Sequence, residues 1–189
     1  MKKILLSASL LALASSMANA ADYVIDTKGA HASINFKIQH LGYSWLTGRF
    51  NEFDGNYSYE KAQPQGSKIT VNINTASIDT NHADRNKHLR GKDFLDVEQF
   101  PTATFVSTEV SALADGSLAV KGEFTLHGVS KAIVIQATKV GEGSDPWGGY
   151  RSGFTGTTTI ALADYGIMYN LGPASTHVAL ELHIEGIKQ

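Results

Sequence analysis

The chain has 189 residues, 42% of them hydrophobic, with 16 basic and 18 acidic side chains, 7 histidines and no cysteine. A slightly acidic balance without any Lys/Arg-rich block excludes recognition of nucleic acid through a basic surface. The absence of cysteine excludes a disulfide framework, a thiolate nucleophile and a lipidated-cysteine anchor.

At the N-terminus Lys2 and Lys3 precede an apolar run from Ile4 to Ala14, and Ala18-Asn19-Ala20 reads as a small-residue cleavage site. Residues 1–20 are therefore expected to be a signal peptide, and residues 21–189 a single exported domain in the periplasm. The run is too short for a transmembrane helix and no later stretch approaches the length of one, so no stable membrane insertion is expected. Two basic residues and no acidic ones lie in the leader, which leaves the remainder at about −4.

Beyond the leader the pattern has period two. Ala32, Ile34, Phe36, Ile38 and His40 share one strand face, opposite Ser33, Asn35, Lys37 and Gln39. Gly48 to Tyr59 and Lys68 to Thr75 read as further strands, the second carrying Ile69, Val71 and Ile73 in alternation. Ala103 to Ala112 is the next, followed by Leu118, Val120, Gly122, Phe124 and Leu126 opposite Lys121 and Glu123. Lys131 to Val140 and Tyr150 to Leu162 continue the series, and Val178, Leu180, Leu182 and Ile184 oppose Glu181, His183 and Glu185. Asp54-Gly55, Asp115-Gly116 and His127-Gly128 are turn signals, with short loops at Gln63 to Ser67 and Gly141 to Gly149.

About eight one-sided antiparallel strands predict an all-β fold closed into a barrel, which leaves no exposed edge. An outer-membrane barrel would turn its apolar face outward; the charges at Lys121, Glu123, Glu181 and Glu185, and the lack of aromatic girdles, favour the apolar-inside form.

The segment from Thr75 to Phe105 interrupts the alternation. His82 to Leu89, carrying Asp84, Arg85, Lys87 and His88, predicts a short helical insert, with Leu89 and Phe94 seating it as a lid over one end of the barrel. Arg85 is expected either at a ligand head group or paired with Asp79, Asp84 or Asp93. His82 and His88 lie six apart without metal-ligand spacing, so neither a metal nor any other cofactor is expected. His40 falls on the apolar face, consistent with a hydrogen-bonded histidine in the barrel mouth; His31, His127, His177 and His183 read as surface or turn residues. The chain contains no G-x-S-x-G, phosphate-loop or H-E-x-x-H pattern, which favours a binder over an enzyme. Trp147 and Tyr150 read as an exposed turn or as a rim for ligand entry.

Three stretches, HASINFKIQHLGYSWLTGRF, SIDTNHADRNKHLRGKDFLDVEQFPTATF and VKGEFTLHGVSKAIVI, together resemble the YceI-like family of bacterial periplasmic proteins, from about Ala21 to Lys188. The resemblance implies a lipocalin-like antiparallel β-barrel whose elongated pocket holds an isoprenoid or quinone-like lipid. Where relatives read R-D-x-H-L this chain has Arg85-Asn86-Lys87-His88-Leu89, and it has Leu162 near the place of a family arginine.

The expected barrel lining is Ile34, Phe36, Ile38, His40, Phe50, Val71, Phe124, Leu126, Phe154, Leu180 and Leu182, with Arg85, His88, Leu89 and Phe94 at the head group or lid. Gly48, Gly122 and Gly156 are expected to leave space inside. By the residues alone an eight-stranded barrel either fills with side chains or keeps one cavity; the resemblance implies the cavity. Three functions stay open: a lipid carrier, an enzyme using His40, Arg85 and His88, and a ligand-free stress or interaction protein. The carrier is favoured, and nothing in the sequence sets an oligomeric state.

Overall fold

The computed structural model describes residues 20–189, so all of the expected signal peptide except Ala20 lies outside the described residues. Eleven strand segments form one antiparallel sheet: β1 (Ala21–Ile25), β2 (Ser33–His40), β3 (Ser44–Phe50), β4 (Phe53–Tyr59), β5 (Lys68–Asn74), β6 (Ile78–Asp79), β7 (Thr102–Ala112), β8 (Leu118–Leu126), β9 (Val129–Ser144), β10 (Tyr150–Ala161) and β11 (His177–Lys188). One α-helix, α1 (Ala83–Arg90), lies between β6 and β7.

Six of these segments are halves of three broken strands. β1 and β2 both pair with β11, through Ile25↔Gly186 and Ser33↔His183, and so continue one another along the same neighbour. β4 and β3 pair with β1 and β2 in turn, and β5 and β6 with β4 and β3. The result is a closed eight-stranded barrel, the ring returning from β11 to β1.

The break between β3 and β4 differs from the expected continuous strand over Gly48 to Tyr59. The chain leaves the sheet at Asn51-Glu52, where Asn51 N–H donates to Ser77 and the Glu52 carbonyl accepts from Asn74. Asp54-Gly55 is accordingly not a turn: Gly55 lies within β4 opposite Val71, and a Cβ there would come within 2.5 Å of the Thr70 carbonyl. Nor is Gly141 to Ser144 a loop, because β9 runs through it. Only Asp145 to Gly149 turns, held by the Asp145 carboxylate accepting from the Trp147 and Gly149 N–H groups at 2.9 and 2.7 Å. The other two turn signals hold. Gly116 has φ 84°, and His127 and Gly128 have φ 52° and 73°, the paired left-handed backbone of a tight hairpin turn.

The alternation sorts side chains as expected. Ile34, Phe36, Phe50, Phe105, Phe124 and Leu126 are buried in one core, and Tyr23, Ile25, Ala32 and Tyr57 form a second cluster at the end where β1 begins and β11 finishes. At the opposite end β6 diverges from β7, and the insert fills the gap. Arg90 secures it, donating from Nε to the Ala76 carbonyl at 2.6 Å and from Nη2 to the Ile78 carbonyl at 3.0 Å. A cationic fork thus satisfies backbone acceptors that no neighbouring strand reaches.

Candidate functional site

The barrel interior holds two cavities. The upper, ≈500 Å³, lies under the insert and reaches the β2–β3 turn and the loop after β10. The lower, ≈130 Å³, runs down to Tyr57 and Tyr59. Ile73, Phe124 and Leu180 wall both, forming a waist between them. A larger concavity, ≈930 Å³, lies on the outer wall among Asn35, Lys37, Arg49, Thr157 and Glu181; it is polar and open, offering little enclosure to a ligand.

Each site residue expected from the sequence borders one of the inner chambers. Phe36, Ile38, His40, Phe50 and Leu126 wall the upper one, with Arg85, His88, Leu89 and Phe94 above them. Ile34, Val71, Phe154 and Leu182 wall the lower one, and Phe124 and Leu180 stand at the waist. The strand glycines act differently from expectation. A Cβ on Gly48 would lie 2.3 Å from the Phe36 ring, and one on Gly122 would lie 2.5 Å from the Phe105 ring. Gly156 similarly makes way for Ile135, at 2.9 Å. These glycines admit neighbouring side chains; the chambers arise where the aromatic rings stop.

At the lower end the Tyr57 ring stacks on Tyr23 with centroids 4.9 Å apart and meets Phe154 edge-on at 5.7 Å. Its hydroxyl donates to the Ser152 carbonyl at 2.7 Å, and burial pushes the phenol pKa up. The lower chamber therefore ends against aromatic rings, with the Tyr57 hydroxyl already paired.

The insert covers the upper end. The His82 imidazole Nδ1 caps α1 by accepting from Arg85 N–H, and Asp84 sits in the first turn where a carboxylate suits the helix dipole. Phe94 is 6% exposed; Leu95, which sequence reasoning missed, is 8% exposed, while Leu89 is half-buried. His88 packs edge-on against Phe94 and Tyr169, at 4.9 and 5.4 Å, and its Nε2 lies 3.5 Å from Asp93.

Arg85 pairs with none of the three aspartates considered for it. Its Nε donates to the Thr80 hydroxyl at 2.8 Å and its Nη2 to the Thr80 carbonyl at 2.7 Å, leaving the guanidinium at the chamber wall without a paired carboxylate among the described residues. Asn86 completes the arrangement, its Oδ1 accepting from both the N–H and hydroxyl of Thr80 while its Nδ2 donates to Asp79 at 2.9 Å. His40 is exposed at the rim, rather than hydrogen-bonded within the mouth, because β2 ends there. His127 is half-buried in its turn, its Nδ1 3.0 Å from the Tyr165 carbonyl. Trp147 and Tyr150 border neither chamber, so they are not an entry rim.

A charged cluster on the outer wall was not foreseen. Arg151 Nη1 contacts Asp26 at 2.6 Å and Glu185 at 2.5 Å, and its Nε contacts Asp145 at 2.8 Å. Hydrogen bonds from Arg151 and His31 hold the Asp26 carboxyl pKa at about 2, and the carboxylates of Asp26, Asp145 and Glu185 raise the Arg151 pKa in turn. Asp26, His31 and Glu185 have the donor types of a metal site, with ligand atoms within 4.8 Å of one another. The guanidinium, however, bridges Asp26 and Glu185 where a cation would sit.

The YceI-like domain model matches residues 23–186. The chain belongs to the YceI-like family. A UPF0312 protein of Shewanella putrefaciens is 56% identical over 191 residues, covering all of both chains. The YCEI protein of Campylobacter jejuni superposes with a TM-score of 0.72 at 26% identity, over 81% of this chain and 91% of that one. A polyisoprenoid-binding domain from Saccharophagus degradans superposes at 0.66 with 18% identity, over 90% and 99%. Within this YceI-like chain Asn86 explains one departure from the expected motif. Its amide donates to Asp79, where an aspartate would set two carboxylates against each other.

Proposed function

We propose that this protein is a periplasmic carrier for a long-chain isoprenoid or quinone-like lipid, its tail inside the barrel and its polar end at the mouth beside Arg85. The observation that carries the reading is the interior: two apolar chambers share a waist, and Arg85, the one Lys or Arg on their walls among the described residues, stands at the upper end. The named ligand of the Saccharophagus degradans domain supports the same class of molecule.

Each methylene moved from water into such a chamber is worth about 0.8 kcal/mol, so a few isoprene units approach the practical ceiling of affinity before tail ordering takes back its share. The groups at the mouth support holding rather than turnover. Arg85 is oriented by Thr80, and His88 packs between two aromatic rings, so neither is arranged with His40 as a proton-transfer pair.

Titration with isoprenoids of graded length, with mass spectrometry of the lipid afterwards, tests the reading. Saturable binding that strengthens with length, and recovery of unchanged lipid, is expected. Time-dependent conversion that disappears in His40→Ala would replace the carrier with an enzyme.

A further inference from the structure

Five of the eleven large apolar side chains exposed among the described residues gather at one end of the barrel. Tyr43 is 87% exposed, Met168 73%, Trp45 58%, Leu41 54% and Tyr169 46%, and all belong to the β2–β3 hairpin or the loop after β10, at the upper end. The two segments are joined: Ser175 Oγ donates to the Gln39 carbonyl at 2.5 Å, and Tyr169 packs on Phe94 of the insert with centroids 4.9 Å apart. Leu41 and Tyr169 also wall the upper chamber, so the exposed patch and the interior are one continuous apolar surface.

Leu41 adds a second observation. With Gly42 it forms the hairpin tip at φ 51° and 81°, a backbone that asparagine or glycine adopts at little cost and leucine does not. About half of this strained leucine walls the chamber, and the other half is displayed to solvent. Trp45 and the two tyrosines have the amphipathic character that suits a membrane–water interface, and Lys37 Nζ lies 5.3 Å above the Trp45 ring, where it can meet lipid phosphate. The exposed tryptophan elsewhere, Trp147, stacks on Arg151 and borders neither chamber.

We propose that this rim docks on the surface of a phospholipid bilayer, the hairpin tip and the Met168-Tyr169 loop entering the interface so that the lipid tail passes directly between bilayer and chamber. The inference rests on the carrier reading. A tail crossing open water loses about fourfold in partition for every methylene exposed, so a long-tailed ligand needs an apolar path, and the rim supplies one. Docking of this kind is peripheral and requires no spanning helix; none among the described residues is long and apolar enough to cross a membrane.

The two tryptophans of the chain make the test direct. In Trp147→Phe the remaining Trp45 should shift to the blue and be quenched by brominated acyl chains when vesicles of phosphatidylethanolamine and phosphatidylglycerol are added. In Trp45→Phe, Trp147 should not respond. Tyr43→Asp with Met168→Asp should lower vesicle association at least about tenfold while leaving binding of detergent-dispersed isoprenoid unchanged. Unaltered Trp45 emission, an equal response from Trp147, or a rim-dependent dimer in sedimentation without vesicle association would overturn the docking inference. Isoprenoid binding without a vesicle response would leave the carrier standing; loss of both would remove the carrier as well.

Discussion

Arg85 donates to both the hydroxyl and the carbonyl oxygen of Thr80, so the cation at the chamber mouth is positioned by a neutral residue and its charge is not cancelled. A carboxylate in that place would neutralise it before a ligand arrived. Thr80→Val removes the hydroxyl that also donates to Asn86 at 2.6 Å. It should cost about 1–3 kcal/mol in denaturant unfolding. It should also weaken an isoprenoid phosphate more than the uncharged alcohol of equal length, as measured by parallel titrations. Equal losses for both ligands would show that Arg85 does not meet the head group.

Leu180→Trp is the test of the waist. The added volume should obstruct passage between the chambers at an overpacking cost of about 1–3 kcal/mol. Affinity for long tails should fall by more than about tenfold, while an isoprenoid short enough for the upper chamber changes little. Uniform loss across the length series would mean that the two chambers do not act as one tunnel.

Gly122→Ala should be strongly destabilising. The new Cβ would lie 2.5 Å from both the Phe105 ring and the Val106 carbonyl oxygen, and backbone cannot move aside cheaply. A loss of at least about 2 kcal/mol in urea unfolding is expected. A neutral outcome would show that β7 and β8 separate more readily than their pairing implies.

The Arg151 cluster gives the barrel an acid limit. Asp26 is 6% exposed and its folded pKa of about 2 lies below its ordinary 3.8, so the charged form is favoured by folding. That contribution is fully present above about pH 4 and is lost as the pH falls toward 2, on the order of 2 kcal/mol in all. Asp26→Asn should be less stable than wild type at neutral pH and show a flatter stability profile between pH 4 and 2, measured by denaturant unfolding at each pH. Parallel wild-type and variant profiles would place the acid sensitivity elsewhere.

Much of the barrel is legible in the sequence because one-sided strands carry their face in their parity. Phe36, Phe124 and Leu180 point inward as their alternation requires. The strand break at Asn51-Glu52 also leaves a trace: inward residues are even-numbered through Phe50, but Tyr57 in β4 is odd, and that switch is the signature of a discontinuity. β1 and β2 show the same switch between Tyr23 or Ile25 and Ile34. The Arg151 cluster leaves no comparable signal, since Asp26, Asp145, Arg151 and Glu185 meet only when the ring closes. Leu95 escaped because the turn after α1 has no period to read, and Arg85's partner because a threonine's carbonyl has no distinguishing residue type.

Native mass spectrometry of the protein purified from the cells that produce it, followed by lipid extraction, measures the proposed cargo most directly. One long-chain isoprenoid or quinone-like lipid per chain is expected, released unchanged on unfolding and retained poorly by Leu180→Trp. A lipid-free protein that also shows no saturable binding to isoprenoids of any length would contradict the carrier.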